Sequence, residues 1–169
     1  IRSFLAGIQR MGSIVFQFSL AAEPAGEETY SILCSDTLAS LEGFLREFPN
    51  LHFQALLASA HGNQALCSLA RQYSNLSVTG YWWHNFFPSF IERVMEERLD
   101  MLSAHKQVGF FSDAYCLEWQ YAKAVMVRKL LARVLAKKVD EGQYTPELCI
   151  EIGRAILRDS PQILLGMTG

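Results

Sequence analysis

Asp113 is a residue whose type and position in the sequence suggest chemistry. It closely follows residues 107–111 (QVGFF), a largely apolar run with the length of a buried strand. A carboxylate at the end of a buried strand is costly to desolvate unless a cation or a hydrogen-bond donor meets it. A metal ion, or a substrate hydroxyl with its proton, could supply that partner. The alternative interpretation is that Asp113 caps the helix that follows.

Two adjacent tryptophans, Trp82 and Trp83, follow another short apolar run, residues 76–80 (LSVTG). Neighbouring residues on a strand point to opposite faces, so both indoles cannot lie in the same layer if the strand continues through them. One could form the apolar wall of a site for a sugar or a small acid, or both could be packing residues. His84, directly after them, and His61 could ligate a metal, although a loop histidine is more often a hydrogen-bonding surface group.

The elements that must position these residues alternate along the chain, apolar runs of strand length with longer helical patterns. The predicted strands lie near residues 14–20, 51–58, 76–80 and 107–111. Short, largely apolar strands are typical of a parallel sheet that is covered on both faces. We therefore predict one α/β domain over residues 1–169, with parallel strands and with the crossover helices outside. A small open doubly wound sheet and half of a (β/α)8 barrel both fit this order.

Polar side chains follow each of the four predicted strands. In both architectures chemistry belongs at the C-terminal ends of the strands, so these side chains are expected to share one rim. The candidates are Ser19 and Glu23 after the first strand, Ser59, His61 and Asn63 after the second, Tyr81, Trp82, Trp83, His84 and Asn85 after the third, and Ser112, Asp113 and Tyr115 after the fourth.

Composition and missing motifs exclude several classes of function. The net charge is −2 and the 15 basic residues are scattered, which argues against a nucleic-acid surface. No apolar run approaches the roughly 20 residues that a membrane span needs. The sequence has no GxGxxG, P-loop, HExxH or GxSxG motif and no His-x-His pair, so nucleotide binding and serine hydrolysis are unsupported.

The four cysteines are widely spaced and include no CxxC pair: Cys34, Cys67, Cys116 and Cys149. We interpret each as a small buried hydrophobic residue. Without support for disulfides, a reducing compartment is the default, and we expect a cytoplasmic protein. The chain begins with Ile1 inside a helical pattern (IRSFLAGIQRMG), which suggests a preceding segment.

The stretch LARQYSNLSVTGYWWHNF, followed by GFFSDAYCLEWQYAK, resembles the C-terminal half of uronate isomerases. These enzymes belong to the metal-dependent amidohydrolase superfamily of (β/α)8 barrels. Gly80-Tyr81-Trp82-Trp83 matches the family's Gly-x-Trp-Trp turn after its seventh strand, and Asp113-Ala114-Tyr115 stands where the family has Asp-x-Arg after its eighth. The likeness extends from about residue 38 to the end and is clearest over residues 69–123.

This resemblance implies a fold, the C-terminal half of a (β/α)8 TIM barrel, and a reaction. The reaction is aldose–ketose isomerisation of a hexuronate such as glucuronate through an enediol(ate), with a divalent metal, typically zinc, holding neighbouring oxygens. By the match, Asp113 is a metal ligand or moves hydroxyl protons. Trp82 or Trp83 lines the pocket, and the partner is a small sugar acid.

Two departures from the family pattern leave alternatives open. Tyr115 replaces an arginine that grips the substrate carboxylate, and a tyrosine offers one neutral donor where arginine offers a charged fork. His84 could partly compensate. The family's first-strand His-x-His ligands are absent, so either a missing N-terminal half or another chain must complete the barrel. A diverged metal-dependent hydrolase and an inactive half-barrel that self-associates are the competing hypotheses.

Overall fold

Four parallel strands form one sheet in a computed structural model of the chain, which describes residues 1–12, 15–20, 35–58, 60, 62–81 and 87–167. The strands lie side by side in chain order: β1 (Val15–Leu20), β2 (His52–Leu57), β3 (Leu76–Thr79) and β4 (Gln107–Val108). Every neighbouring pair is parallel, which confirms the predicted α/β class. The first three strands lie within the apolar runs that predicted them.

Helices precede, separate and follow the strands, as the alternation of sequence patterns predicted. They are α1 (Arg2–Arg10), α2 (Ser35–Glu47), α3 (Asn63–Gln72), α4 (Pro88–Met101), α5 (Leu117–Asp140), α6 (Pro146–Arg154) and α7 (Ser160–Leu164), with a 3-10 turn at Ala104–Lys106 and a π-helical turn at Ala155–Asp159. No helix among the described residues has both the length and the apolar composition that crossing a bilayer requires.

Local sequence explains where helices begin. Pro88 opens α4 and Pro146 opens α6, because a proline at the first helical position lacks only a donor that would be unpaired anyway. Thr145 caps α6 by accepting a hydrogen bond from the Leu148 amide at 3.3 Å.

The fourth strand is shorter than predicted, ending at Val108 where the sequence suggested 111. The amide of Gly109 donates to the carbonyl of Ile156 at 3.1 Å, so the chain turns from the sheet toward the π-helical turn. A Cβ added at position 109 would lie 2.2 Å from Cγ2 of Ile156. Only glycine allows this close approach, which ends the strand early.

The two faces of the sheet differ in chemistry. Phe53 and Ala55 of β2 point toward a core that contains Leu45 of α2 and Leu66 of α3. On the opposite face Gln17, Gln54 and Ser77 share one row of the register. The Gln17 amide nitrogen donates to the Gln54 side-chain oxygen at 3.2 Å. The sheet therefore buries one apolar face under helices, whereas its opposite face, the inner face, is partly polar.

The interpretation of the cysteines as buried hydrophobic residues is confirmed at two positions and wrong at a third. Cys67 and Cys149 are buried free thiols, and burial raises the pKa of Cys67 to about 11. Cys116 is an exposed free thiol, because it lies in the loop directly before α5. Cys34 lies outside the described residues.

Candidate functional site

The C-terminal ends of β3 and β4 are held side by side. The strands pair in the register Thr79 with Val108, and the amide of Gly80 donates to the carbonyl of Val108 at 2.6 Å. Gly80 has a φ of +52°, and a Cβ at this position would lie 2.3 Å from Cβ of Phe111. The two segments that leave the sheet after β3 and β4 therefore touch at Gly80 and Phe111. The contact leaves no room for a side chain at position 80.

Asp113 lies two residues beyond that contact, in the segment between β4 and α5. Its side chain is exposed, and it is the non-glycine residue with a positive φ, 45°, in the part of the chain that the structure describes. Aspartate tolerates this left-handed conformation better than most residues. The N-cap position of α5 is Cys116, so Asp113 is not the N-cap residue of that helix as one interpretation had it. The structure therefore places an accessible carboxylate at the C-terminal edge of the sheet.

Lys123 supports this segment from the second turn of α5, and the sequence analysis did not identify it. Its side chain is nearly buried, with 6% of the residue exposed. Its ammonium nitrogen donates to the main-chain carbonyl of Ser112 and lies 5.4 Å from the ring centroid of Trp119. The sequence signal that could have identified Lys123 is its spacing from Trp119. The two residues are four apart on a helix, and residues at that spacing share a face.

Arg98 supports the end of β3 in a similar way and was also missed. It is 1% exposed, and its guanidinium donates to the Gly80 carbonyl at 2.7 Å and to the Asn63 side-chain oxygen at 3.0 Å. It also lies 5.0 Å from the ring centroid of Tyr81. The Asn63 amide in turn donates to Glu97 at 2.8 Å, which brings a carboxylate into the network. Burial raises the pKa of Tyr81, and the charge of Arg98 opposes that rise.

The remaining predicted site residues fall into three groups. Seven of them lie outside the described residues: Glu23, Ser59, His61, Trp82, Trp83, His84 and Asn85. Tyr115 is 89% exposed and its ring meets that of Trp119 edge-on, with 6.1 Å between centroids. Asn63 does not lie on an open rim as predicted, because it is buried in the network around Arg98.

A cavity of about 230 Å³ lies on the inner face of the sheet. Its walls are Gln17, Phe18, Ser19, Leu56 and Phe111. Ser19 was predicted to follow the first strand on the site rim, and here it lines the cavity from within β1. Because Phe111 forms one wall, the cavity opens beside the segment that carries Asp113.

Metal ligation was predicted for Asp113, and the described residues bring no three His, Cys, Asp or Glu side chains together. His52 is partly buried, with Nε2 2.9 Å from the Ser77 hydroxyl. Burial lowers the pKa of His52, and the charge of Lys106 lowers it further. His105 is exposed.

Comparison of the sequence with protein-family models and with curated proteins finds no match. Two solved structures of uronate isomerases have a similar fold. The enzyme from Thermotoga maritima matches with a TM-score of 0.81 at 18% identity, over 96% of this chain and 39% of that one. The enzyme from Bacillus halodurans matches with a TM-score of 0.80 at 23% identity, over 96% of this chain and 40% of that one.

This chain thus spans about two-fifths of the length of each structure that it matches. At such identities the likeness concerns the fold. The four parallel strands with helices around them correspond to part of the barrel-containing uronate isomerase structure, as the sequence resemblance implied.

Proposed function

We propose that this chain is part of an aldose–ketose isomerase that acts on a hexuronate such as glucuronate. The observation that carries the proposal is the position of Asp113. It is accessible at the C-terminal edge of a sheet whose fold matches uronate isomerase structures over 96% of the chain. In parallel α/β barrels that edge is where substrates bind.

The proposed role of Asp113 is proton transfer between substrate oxygens. In the isomerisation a proton leaves the carbon beside the aldehyde and a proton is added to the aldehyde carbon, while a hydroxyl proton moves from one oxygen to its neighbour. No external oxidant is needed, because one carbon is oxidised as the other is reduced. A carboxylate can accept the hydroxyl proton and return it to the neighbouring oxygen. We assign to Asp113 the transfer of this hydroxyl proton between the two substrate oxygens.

Binding of the sugar acid is proposed to involve residues on both sides of Asp113. Trp82 or Trp83 would supply an apolar wall, as indole rings do in many sugar sites. His84 and Tyr115 would donate hydrogen bonds to the substrate carboxylate. The exposed phenol of Tyr115 is compatible with such a contact, but as one neutral donor it would hold a carboxylate less firmly than a guanidinium.

A divalent metal, zinc according to the resemblance, is proposed to bind with Asp113 as one of its ligands. A catalytic zinc has about three protein ligands, and Asp113 would be one of them. The described residues do not add two more ligating side chains beside it. The described residues therefore do not make a metal site by themselves.

The rest of the barrel is the proposed partner of this chain. The outer strand β1 pairs with β2 on one side, and among the described residues its other edge has no strand beside it. An open edge of this kind favours pairing with further strands. The partner is either another segment of the same polypeptide or a second copy of this chain, and size-exclusion chromatography with a mass measurement separates a monomer from a self-associated form.

The test of the function is turnover of glucuronate and galacturonate by the intact protein, with zinc or manganese added. Formation of the ketose is expected in the wild type and is expected to be lost in Asp113→Asn, which keeps the shape of the side chain and removes its basicity. A wild-type protein that converts neither uronate would overturn the proposal at the level of the substrate.

A second candidate function is metal-dependent hydrolysis of a small amide or ester. The exposed neutral Tyr115, at the position where the resemblance expects an arginine, favours this alternative. A panel of lactones and amides tested against the same intact protein distinguishes the two. Hydrolysis of one of them without any uronate turnover would favour the hydrolase.

A further inference from the structure

We infer that Lys123 is a positioning residue of the proposed site: its ammonium group holds the carbonyl of Ser112 and thereby orients Asp113. The inference rests on the proposed function, because it assigns a role within the same site. It concerns a residue of α5 that neither the resemblance nor the spacing of motifs had singled out.

The burial of Lys123 is the first observation that supports this role. Leu117, Trp119 and Tyr121, which precede it on α5, are exposed, whereas Lys123 is 6% exposed. Lysine is rarely buried to this degree without a specific partner, because an ammonium loses hydration on burial. The orientation of the Lys123 side chain into the protein therefore requires compensating contacts.

The contacts of Lys123 reach the segment that carries Asp113, directly at Ser112 and through Trp119 of α5. The ammonium nitrogen donates to the carbonyl of Ser112 and lies 5.4 Å from the ring centroid of Trp119. The Trp119 ring meets the ring of Tyr115 edge-on. One side chain of α5 thus connects to both sides of Asp113, directly at Ser112 and through Trp119 at Tyr115.

The hydrogen bond to Ser112 acts on Asp113 through the geometry of the peptide. The Ser112 carbonyl and the Asp113 amide belong to one planar unit, so a donor that fixes the carbonyl fixes the plane from which φ of Asp113 is measured. That φ is +45°, in a region that residues other than glycine seldom occupy and that surrounding contacts must maintain. Lys123 supplies such a contact, and its removal would release the carboxylate from this orientation.

The chain offers a matched control on the same helix. Lys138 of α5 is also buried, with 7% of its side chain exposed, and its ammonium lies 2.5 Å from Asp100. Lys138→Met removes a buried lysine from the same helix, away from Asp113, as Lys123→Met does beside it. Effects that follow only from losing a buried lysine should therefore appear in both variants.

The experiment compares the intact wild type with Lys123→Met, Lys123→Arg and Lys138→Met by two readouts. The first is amide hydrogen exchange of the peptide covering residues 110–116, and the second is kcat and KM for a uronate. Lys123→Met is expected to exchange faster in that peptide and to lose about tenfold or more in kcat, with KM within about twofold of the wild type. Lys123→Arg, which keeps the charge and a donor, should recover both, and Lys138→Met should leave both unchanged.

The outcomes separate this inference from the function on which it rests. If the wild type turns over no uronate, the proposed function fails and hydrogen exchange alone decides the role of Lys123. Exchange in residues 110–116 that is the same in Lys123→Met and Lys138→Met would overturn the inference, whatever the activity. If Lys123→Met does not fold, Lys123→Gln, which keeps a neutral donor but removes the charge, takes its place in the same comparison.

Discussion

Arg98 of α4 donates a 2.7 Å hydrogen bond from its guanidinium to the carbonyl of Gly80, at the point where β3 ends. A helix that packs outside the sheet thus holds the main chain of the turn that leads to the tryptophan pair. Lys123 of α5 does the same for the carbonyl of Ser112 beyond β4. Two buried cations, each on the helix that follows its strand, fix neighbouring strand ends, and Gly80 contacts Phe111 between them.

Replacing Arg98 should destabilise the protein strongly. Arg98→Met removes two charge-assisted hydrogen bonds and leaves the Gly80 carbonyl and the Asn63 side chain short of a partner in the interior. We expect a loss of about 3 kcal/mol in the free energy of unfolding, measured by urea denaturation. Arg98→Lys should recover only part of it, because an ammonium cannot reproduce the planar fork.

A matched control for this prediction is Arg93→Met on the same helix. The Arg93 side chain is 73% exposed and forms an ion pair with Glu97. Its removal is expected to change stability by less than about 0.5 kcal/mol. Equal losses in the Arg93 and Arg98 variants would show that the buried network contributes nothing specific.

Gly80→Ala should be costly for two separable reasons. The positive φ disfavours any side chain, and the new Cβ would lie 2.3 Å from Cβ of Phe111. Gly142 also has a positive φ, +71°, but a Cβ there meets nothing within 4 Å. We therefore expect about 1 kcal/mol of destabilisation in Gly142→Ala from backbone strain and at least about 1 kcal/mol more in Gly80→Ala from the clash.

Thermal or urea unfolding of both alanine variants provides the measurement. Activity of the intact protein should also fall in Gly80→Ala, because relief of the clash moves Phe111 and the segment toward Asp113. The Gly142 variant should keep its activity. A Gly80→Ala protein as stable as Gly142→Ala would contradict the close contact between the two strand ends.

The sequence predicted most of the sheet because an apolar run, which marks a buried strand, is a local feature of the sequence. Apolar runs fix where β1, β2 and β3 lie, whereas Asp113, expected two residues beyond the fourth strand, lies five residues beyond its end at Val108. The early end of β4 was missed, since it depends on Gly109 meeting Ile156, far along the chain. No local pattern announces such a contact.

Arg98 and Lys123 were missed for a related reason. A charged residue on a helix is normally solvated, so its burial depends on which carbonyl the tertiary fold brings within reach. Arg98 reaches Gly80 because α4 packs beside the end of β3. The number of residues between positions 80 and 98 does not predict that the two will lie within hydrogen-bond distance in the fold. Candidate ligands can be found from residue types, whereas the side chains that position them emerge only from the packing.

The stability of the fold should depend on pH through His52. Its pKa is lowered, first by burial and then by the charge of Lys106, so folding favours the neutral imidazole. An unfolded histidine has a pKa of about 6.5, so the stabilisation is fully present above that pH and is lost as pH falls through the lower folded pKa. Urea unfolding of His52→Gln between pH 5 and 8 should show a shallower pH dependence than the wild type.

The control for this pH effect is His105→Gln. His105 is exposed, so its replacement should leave the pH dependence of the unfolding free energy as in the wild type. Subtracting each variant from the wild type removes the contributions of the other histidines. A His52→Gln protein with the full wild-type slope would show that protonation of this ring is not coupled to folding.

Tyr115→Arg should strengthen binding of a uronate if the proposed function is correct. Tyr115 is 89% exposed, so an arginine fits without repacking, and a guanidinium can keep the contact with Trp119 through its planar face. A charged fork toward the substrate carboxylate should lower KM about tenfold, with kcat nearly unchanged, because the carboxylate is held alike in the ground and transition states. Tyr121→Arg, which adds the same charge at an exposed position of α5, measures general attraction of the anion and should lower KM much less at about 0.15 M salt. If both variants shift KM equally, position 115 has no special relation to the substrate carboxylate, and the assignment of Tyr115 to the binding site is wrong.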